Sequence, residues 1–361
     1  MSGSPGARAG AFTSAGSACV VIDAKASSTL RLDRRAPQFL TRLKLALART
    51  KRPNSARYPR KPIAKHRFHP TRYFNAIGVA EPCLRVADGD TVVTDTIDAS
   101  GLDAREMTIA SRPNPMTGPF FIEGAEPGDT LAVRIDRLTP SRATGWTYWP
   151  LALTVLDPAA ILDRPPQQRV VWDIDRDAGT VRLQENVKGL EDFAPSIKPM
   201  IGCFGVAPAG GQALSTATSA QNGGNMDYRL FAPGTTAWFP VAVPGALFYL
   251  GDGHACQGDG EIVGTGIETS FEMEVTFRVL KRKITWPRGE TADDIFTVGN
   301  ARPLDQALQQ ATTEMSRWLG EDYGLDAYAA SHMMGQVVRY DAGNVFNPAF
   351  TVACRIAKRW C

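Results

Sequence analysis

Residues 251–261 have the sequence GDGHACQGDGE, and the apolar run ALFYL at 246–250 leads into them. The segment contains three carboxylates, four glycines and one of the four histidines of the chain. In an extended segment Asp252 and His254 lie on the same face, because successive side chains of a strand point to opposite faces. A carboxylate and an imidazole that converge suit a divalent metal ion or a general acid/base pair. The alternative is a hairpin turn, in which glycine supplies positive φ and aspartate bonds its own backbone.

The segments on either side of this stretch predict strands. Residues 271–279 (FEMEVTFRV) alternate apolar and polar side chains without a break, which indicates one buried and one solvated face, as in an antiparallel sheet. Residues 91–98 (TVVTDTID) are rich in β-branched side chains, and residues 131–135 (LAVRI) form another candidate strand. Residues 350–354 (FTVAC) predict a short closing strand.

Within residues 68–361, helical spacing of apolar residues is found only near the C-terminus. Residues 304–319 have it, and Gly320 is the predicted C-terminal cap of that helix. A second helix is predicted near residues 326–334. We therefore expect a mainly β fold, antiparallel and built as a β-sandwich or a barrel-like arrangement, with a few helices near the C-terminus.

Composition limits the class of protein. The chain has 361 residues, of which 43% are hydrophobic and 21% charged, as in soluble globular proteins. No stretch approaches the roughly 18 consecutive apolar residues of a membrane-spanning helix, so we expect no membrane partner. The six cysteines show no CxxC spacing, which argues against a disulfide framework and a zinc ribbon. A reducing, cytoplasmic location is therefore the default expectation.

The charge is unevenly distributed along the chain. Residues 1–67 contain 15 lysines and arginines but two acidic residues, whereas residues 68–361 contain 25 against 35. The first segment is also rich in serine, alanine, glycine and proline, which predicts a disordered basic head followed by one folded region, 68–361. A targeting peptide, a nucleic-acid-binding arm, an oligomer helix and an over-extended reading frame are the alternatives for the head. The acidic body argues against a nucleic-acid partner.

Two further acids are candidates for a site. Asp98 ends the strand predicted at 91–98, where its carboxylate is displayed to a site or caps a turn. Glu123 follows an apolar run and precedes a glycine. Such an acid is an ordinary solvated turn residue unless a metal ion or a substrate amide faces it. The glycine-rich segment 223–227 (GGNMD) has neither GxGxxG nor GK[ST], so nucleotide binding has little support.

Five motifs, in this order, resemble the acetamidase/formamidase family: NPMTG at 114–118, FIEGAEPGD at 121–129, GGNMD at 223–227, PVAVPGAL at 240–247 and GDGHACQGDGE at 251–261. The resemblance covers residues 68–361, and the basic head lies outside it. It implies a β-rich cytoplasmic homo-oligomer that hydrolyses short amides, such as formamide and acetamide, to a carboxylate and ammonia. It also implies a divalent metal, zinc, in the site. One departure is Asn222, where some members carry a histidine.

The resemblance, combined with the chemistry of the residues, implies a set of metal ligands. Catalytic zinc keeps three protein ligands and one open position. His254 and Asp252 are the first two ligands that we expect. Asp98 or His69 is the third.

Other residues are expected to act on the substrate. Glu123 or Glu261 takes a proton from the attacking water and passes it to the leaving ammonia. Asn225 and Asp227 suit the amide nitrogen and carbonyl of the substrate. The alternative function is a non-catalytic β-rich module that binds calcium or a sugar through its Asp/Gly loops. His254 speaks against it, because a hard calcium site has little use for imidazole.

Overall fold

The computed structural model describes residues 63–361. The basic head predicted from charge therefore lies outside the described residues, apart from its last five positions. Of these, Lys65–Arg67 belong to the first strand, which pairs in parallel with residues 91–94.

The described chain forms 21 strands and two α-helices. In chain order the strands are β1 (Lys65–Phe68), β2 (Ala76–Ile77), β3 (Leu84–Val86), β4 (Thr91–Thr96), β5 (Thr117–Ile122), β6 (Thr130–Pro140), β7 (Thr144–Trp149), β8 (Gln168–Asp175), β9 (Thr180–Leu183), β10 (Met200–Val206), β11 (Leu214–Ser215), β12 (Ser219–Ala220), β13 (Gly223–Asn225), β14 (Thr236–Pro240), β15 (Phe248–His254), β16 (Glu268–Thr269), β17 (Phe271–Leu280), β18 (Arg288–Glu290), β19 (Asp294–Ala301), β20 (Arg339–Asn344) and β21 (Phe350–Ala357). The helices are α1 (Leu304–Tyr323) and α2 (Ala327–Val337).

Two large sheets account for nearly all the strands. The first has nine strands in the order β1-β4-β17-β6-β14-β18-β19-β21-β20. The second has ten, in the order β12-β13-β10-β15-β16-β7-β8-β9, with β5 beside β15 and β3 beside β5. Neighbours are antiparallel except for the pairs β1–β4 and β3–β5. This confirms the prediction of a mainly β, antiparallel fold, and within residues 63–361 neither large sheet closes into a barrel.

The core lies between the two sheets. Phe248 of the second sheet meets Phe277 of the first with ring centroids 5.3 Å apart, and Phe204 meets Phe239 at 5.1 Å. Every residue of β10 and β15 is buried. Strands covered on both faces lose the alternation of apolar and polar residues. Strand β15 therefore carries its polar residues into the interior of the protein.

Both helices pack on the outer face of the first sheet, where Met315 and Trp318 contact the side of β19 and β21. The predicted cap at Gly320 is wrong, because α1 continues to Tyr323. Gly324 ends the helix in the left-handed conformation, at φ 68°. Neither helix of the described region combines the length and hydrophobicity needed to cross a membrane.

Candidate active site

Five ionisable side chains meet at the C-terminal end of β15, and we call them the acidic cluster: Asp227, Asp252, His254, Glu261 and Glu268. None of them is more than 6% exposed. Two lie in β15, one begins β16, one follows β13 by two residues, and one ends a 3₁₀ turn at Asp259–Glu261. Because charged groups are costly to bury without a partner, such a concentration indicates a functional site.

The imidazole of His254 is the centre of the cluster. Its Nε2 lies 3.6 Å from Asp252 Oδ1 and 3.0 Å from Glu268 Oε1. Its other nitrogen, Nδ1, lies 2.7 Å from the side-chain oxygen of Gln257. The ring fits because residue 266 is glycine. A Cβ atom on Gly266 would lie 2.4 Å from His254 Nδ1.

Another glycine makes room for two of the carboxylates. Gly202 in β10 lies across from Asp252, and a Cβ atom there would be 2.6 Å from Asp227 Oδ1 and 2.8 Å from Asp252 Oδ2. Two amides hold the same carboxylates in place. Asn114 Nδ2 donates to Asp252 Oδ2 at 3.0 Å, and Asn347 Nδ2 donates to Asp227 Oδ2 at 2.7 Å.

The backbone of the acidic cluster is unusual. Asp227 has φ 48°, Asp252 φ 55° and Glu261 φ 48°, in the left-handed region that favours glycine. At Asp252 this interrupts the strand alternation from which the sequence predicted a shared face with His254. The two side chains nevertheless meet, as the distance of 3.6 Å between Asp252 Oδ1 and His254 Nε2 shows.

Burial and mutual repulsion disturb the ionisation of the acidic cluster. Burial, with the charge of Asp252, raises the pKa of Asp227 to about 7. Burial likewise raises the pKa of Glu268 to about 8 against the opposing effect of His254, and raises the pKa of Glu261 well above its usual value. For His254, burial lowers the pKa, but Glu268 and Asp252 outweigh it and the net pKa is well above the usual range. The cluster therefore favours added positive charge.

The unpaired atoms of the acidic cluster suit a metal ion. Within the described residues, one side-chain atom of each member has no hydrogen-bond partner: Asp227 Oδ1, Asp252 Oδ1, His254 Nε2, Glu261 Oε2 and Glu268 Oε2. Two overlapping trios bring possible ligand atoms within 4.8 Å of one another, namely Asp252, His254 and Glu268, and Asp227, His254 and Glu261. Carboxylate oxygens with one imidazole nitrogen are a donor set that zinc accepts.

A cavity of about 250 Å³ adjoins the acidic cluster. Asp252, Glu261 and Glu268 line it, together with Asn225. The side-chain oxygen of Asn225 accepts a hydrogen bond from Asn114 Nδ2 at 2.8 Å. That bond leaves the Asn225 amide group as a donor beside the carboxylates. The cavity thus joins hydrogen-bond donors and acceptors around a volume suited to a small polar molecule.

Asp98 is buried near this cavity, but its oxygens are fully engaged. Its Oδ2 accepts hydrogen bonds from Arg142 Nη2 at 2.7 Å and from Trp146 Nε1 at 3.0 Å. Its Oδ1 accepts from the backbone amides of Ser100 and Leu102, each at 2.9 Å. These four bonds fill the acceptor sites of a carboxylate. Asp98 therefore orients Trp146, which lines the cavity, and has no lone pair left for a metal ion.

The structure brings neither His69 nor Glu123 to the acidic cluster. His69 has a side chain that is 69% exposed, and its Nδ1 lies 2.8 Å from Asp95 Oδ2. Glu123 follows β5 in a turn, with a side chain 44% exposed and one oxygen 4.0 Å from Arg85 Nε. The other predicted site residues do lie together: Asp252, His254, Glu261, Asp227 and Asn225.

Comparison with known proteins identifies the relationship. A family model described as the Acetamidase/Formamidase family matches residues 59–211 and 205–333. The chain belongs to the acetamidase/formamidase family. The match begins close to the first described residue and ends in α2, so it contains all five residues of the acidic cluster.

Individual relatives in the acetamidase/formamidase family agree with this assignment. The chain is 26% identical over 328 residues to the acetamidase of Mycolicibacterium smegmatis, covering 77% of this chain and 76% of that protein. It is 26% identical over 284 residues to a putative formamidase of Schizosaccharomyces pombe, covering 62% and 66%. A crystal structure of acetamidase from Yersinia enterocolitica is 30% identical with a TM-score of 0.72, covering 83% of this chain and 93% of that one.

These relationships establish the class of reaction. The chain is a hydrolase that acts on amide C–N bonds, as the acetamidase/formamidase family does. The alternative of a non-catalytic calcium- or sugar-binding module is therefore not supported.

Four residues of the site in this acetamidase/formamidase chain were not predicted from the sequence: Asn114, Gln257, Glu268 and Asn347. Asn114 and Gln257 lie inside quoted motifs, where their side-chain type was a usable signal. The sequence offered no comparable signal for Glu268 and Asn347, because their positions in the site depend on strand pairing. Asn222, the departure from the family pattern, donates to Val206 O and lines a separate groove.

Proposed function

We propose that this protein hydrolyses short aliphatic amides, including formamide and acetamide, to a carboxylate and ammonia with the help of a divalent metal ion held by the acidic cluster. One observation supports it above the others. The five buried side chains of the acidic cluster each have an atom without a hydrogen-bond partner in the described chain and form two overlapping trios of possible ligands beside a small cavity, in a chain that belongs to a family of amide hydrolases.

Asp252, His254 and Glu268 are the proposed ligands, with Glu268 taking the third position that the sequence had assigned to Asp98 or His69. Zinc is the proposed ion, because the set contains an imidazole, and calcium is the alternative. When bound, such a cation supplies polarisation of the amide carbonyl and promotes ionisation of a water molecule. Asn114 orients Asp252 for this role through its hydrogen bond at 3.0 Å.

Glu261 is the proposed general base. It lines the cavity, and its Oε2 has no hydrogen-bond partner in the described chain. Burial and the charge of Asp227 raise the pKa of Glu261, so its carboxylate holds a proton readily. Positive charge at the acidic cluster opposes that shift and lowers the pKa of Glu261 toward the working pH. There the carboxyl group can both accept and donate a proton. Glu261 then receives the proton of the attacking water and passes it to the leaving nitrogen.

Asn225 and Asp227 are the proposed substrate contacts. The amide group of Asn225 has donors available for the carbonyl oxygen of the substrate, where negative charge develops during attack. Asp227 holds one oxygen free beside Glu261 while Asn347 occupies the other. The volume of about 250 Å³ is below that of pockets for drug-sized ligands, about 300–1,000 Å³, which supports a short acyl chain.

The same proposal covers the cellular location, the assembly and the catalytic region of the protein. The protein acts in the cytoplasm as a homo-oligomer, without a nucleic-acid partner. Residues 68–361 are the proposed catalytic region, and we expect turnover not to require the basic head. The family resemblance, the scattered cysteines and the acidic body support these points.

The proposal is tested by ammonia release from formamide, acetamide and propionamide. We expect the full chain to release ammonia, to lose activity when a chelator removes its metal, and to regain activity with Zn²⁺. His254→Ala should lose both the ion and the activity. His332→Ala, which changes an exposed histidine of α2, should retain both. Undiminished turnover in protein shown by elemental analysis to be metal-free would contradict the metal dependence.

A further inference from the structure

The side chain of Gln257 connects three parts of the site. It lies in the loop after β15, with Oε1 2.7 Å from His254 Nδ1. Its Nε2 donates to the backbone oxygen of Asp227 at 2.6 Å and to that of Gly343 at 3.3 Å. All its polar capacity except one oxygen lone pair is thereby used within the protein.

These contacts fix which way the Gln257 amide points. The two partners of Nε2 are carbonyl oxygens, which only accept hydrogen bonds. If the amide were flipped, its oxygen would face both carbonyls and lose two hydrogen bonds in a largely buried place. The oxygen end must therefore face His254.

The orientation of Gln257 in turn fixes the proton on His254. An amide oxygen only accepts, so His254 Nδ1 must carry a hydrogen to donate across the 2.7 Å distance. This is true of the neutral ring and of the imidazolium alike. In the neutral ring the lone pair is then on Nε2, the nitrogen that faces Asp252 and Glu268.

We propose that Gln257 is a positioning residue, which sets the ring orientation and the Nδ1–H tautomer of His254 so that Nε2 is presented to a divalent cation. This inference rests on the proposed function, because it needs a cation at the acidic cluster. Partners of this kind, behind a metal-bound histidine, commonly contribute 10- to 100-fold in metal affinity.

The link to Asp227 and Gly343 gives Gln257 a second effect. The same amide that holds the His254 ring also ties the backbone of Asp227 to the end region of β20. The position of the ring and that of the Asp227 carboxylate are thus set by a single side chain. Loss of Gln257 disturbs both halves of the acidic cluster.

The test compares two variants at this position with a matched control. Gln257→Met keeps the length and removes the hydrogen bonds. Gln257→Glu keeps an acceptor for Nδ1 and loses both donors. Gln310→Met removes a glutamine oxygen that accepts a hydrogen bond from the backbone amide of Asn300 at 2.9 Å, on helix α1, which carries no residue of the acidic cluster. Each full-length chain is stripped of metal and titrated with Zn²⁺ against a chelating dye, and its melting temperature is recorded.

We expect Gln257→Met to weaken Zn²⁺ binding by about 10- to 100-fold. Gln257→Glu should bind Zn²⁺ within about tenfold of the wild type, because its carboxylate accepts a hydrogen bond from Nδ1–H. Gln310→Met should lose stability but keep its affinity. With ¹⁵N-labelled histidine rings, Zn²⁺-loaded wild type should show one ring protonated at Nδ1 and bound through Nε2, which His254→Ala removes. In Gln257→Met that signal should be lost or mixed.

The outcomes distinguish a failure of the proposed metal site from a failure of the proposed role of Gln257. A wild-type chain that binds no Zn²⁺ overturns the proposed metal site itself. Wild-type affinity and an unchanged ring signal in Gln257→Met overturn the role of Gln257 alone. If Gln257→Met does not fold, Gln257→Glu decides, and a loss of more than about 100-fold there overturns the role of the Nδ1 acceptor.

Discussion

The left-handed backbone conformation of individual residues in the acidic cluster costs conformational free energy. Asp227, Asp252 and Glu261 all have left-handed φ values, which a few per cent of non-glycine residues adopt. Each costs on the order of 1–3 kcal/mol and persists because its surroundings hold it. Glycine at these positions would relieve the cost but would provide no carboxylate. The proposed roles of these carboxylates in metal binding and proton transfer would account for a conformation kept at some expense in stability.

Glu261→Gln separates proton transfer from metal binding. The amide keeps the shape of the side chain and cannot accept the proton of the attacking water. We expect turnover of acetamide to fall by roughly 10²- to 10⁴-fold while the metal content is retained. Elemental analysis alongside kcat measures both. A fall in metal content together with activity would make Glu261 a ligand, and normal turnover would remove it from the mechanism.

Gly202→Ala tests the close approach of the two carboxylates. The new methyl group would lie 2.6 Å from Asp227 Oδ1 and 2.8 Å from Asp252 Oδ2, so both side chains must move. A displacement of about 1 Å at a catalytic site costs on the order of 100-fold in rate, and we expect at least that loss in kcat/KM.

Gly335→Ala is the control for this change. Gly335 lies in α2, and a Cβ atom there meets nothing within 4 Å. Alanine is favoured over glycine in a helix by about 0.5–1 kcal/mol, so this variant should be slightly more stable and fully active. Equal activity in both variants would show that the acidic cluster tolerates movement.

At the scale of elements, strands whose apolar and polar residues alternate regularly were predictable from the sequence. The ends of helices were less predictable. Strand β17 alternates buried and partly exposed residues from Phe271 to Phe277, as its sequence predicted. For α1, two glycines were available as caps, and local spacing could not tell that Gly324 adopts the left-handed conformation rather than Gly320.

Strand pairing explains the part of the site that could not be predicted. Asp252 and His254 lie in one motif, two residues apart. Glu268 reaches them only because β16 pairs with β15, which places it beside His254, and with β7, which places it beside Trp146. Such a register depends on contacts distant in sequence, which period and composition do not encode.

Helix α1 is attached to the first sheet partly by a buried ion pair. Arg288 Nε donates to Glu314 Oε1 at 2.8 Å, and both side chains are fully buried. Without Glu314 the buried Arg288 charge keeps only the partly exposed Glu321 as a partner, so Glu314→Ala should reduce the free energy of unfolding by about 3 kcal/mol, the lower end of the range for broken buried pairs. Chemical denaturation measures the change.

Glu321→Ala is the matched comparison on the same helix. Glu321 also pairs with Arg288, at 3.0 Å, but its side chain is 45% exposed. Its loss should cost less than about 1 kcal/mol. If the two variants were equally stable, the buried pair would have no special part in holding α1.

At the scale of the whole molecule, the sequence predicted two features and could not supply a third. The mainly β class and the C-terminal helices followed from the patterns. The strand order did not, since neighbours such as β4 and β17, or β6 and β14, are far apart in the chain. The site depends on this order, because Asn347 comes from beyond the edge strand of the first sheet whereas Asp252 and His254 belong to the second.

Deletion of residues 1–58 tests the proposed division of the chain. The family match begins at residue 59, and the composition before it does not favour a core. We expect amide turnover to be unchanged and the melting temperature to stay within about 2 °C, less than about 1 kcal/mol for a large domain.

A longer deletion provides the control. Removal of residues 1–70 also removes β1, which pairs with β4 from Lys65↔Thr91 to Phe68↔Thr94. That chain should melt at a clearly lower temperature. If the shorter deletion lowered stability or turnover as much, the basic head would belong to the folded protein.

The position of β20 at the edge of the first sheet has a consequence for biosynthesis. β20 joins that sheet only through β21, which leaves the ribosome after it. Before β21 pairs with β19, β20 is not joined to the first sheet, and we expect the hydrogen bond from Asn347 to Asp227 to be unformed. We therefore expect truncated chains that lack β21 to be enzymatically inactive, because β20 and the segment that follows it then lose their attachment to the first sheet.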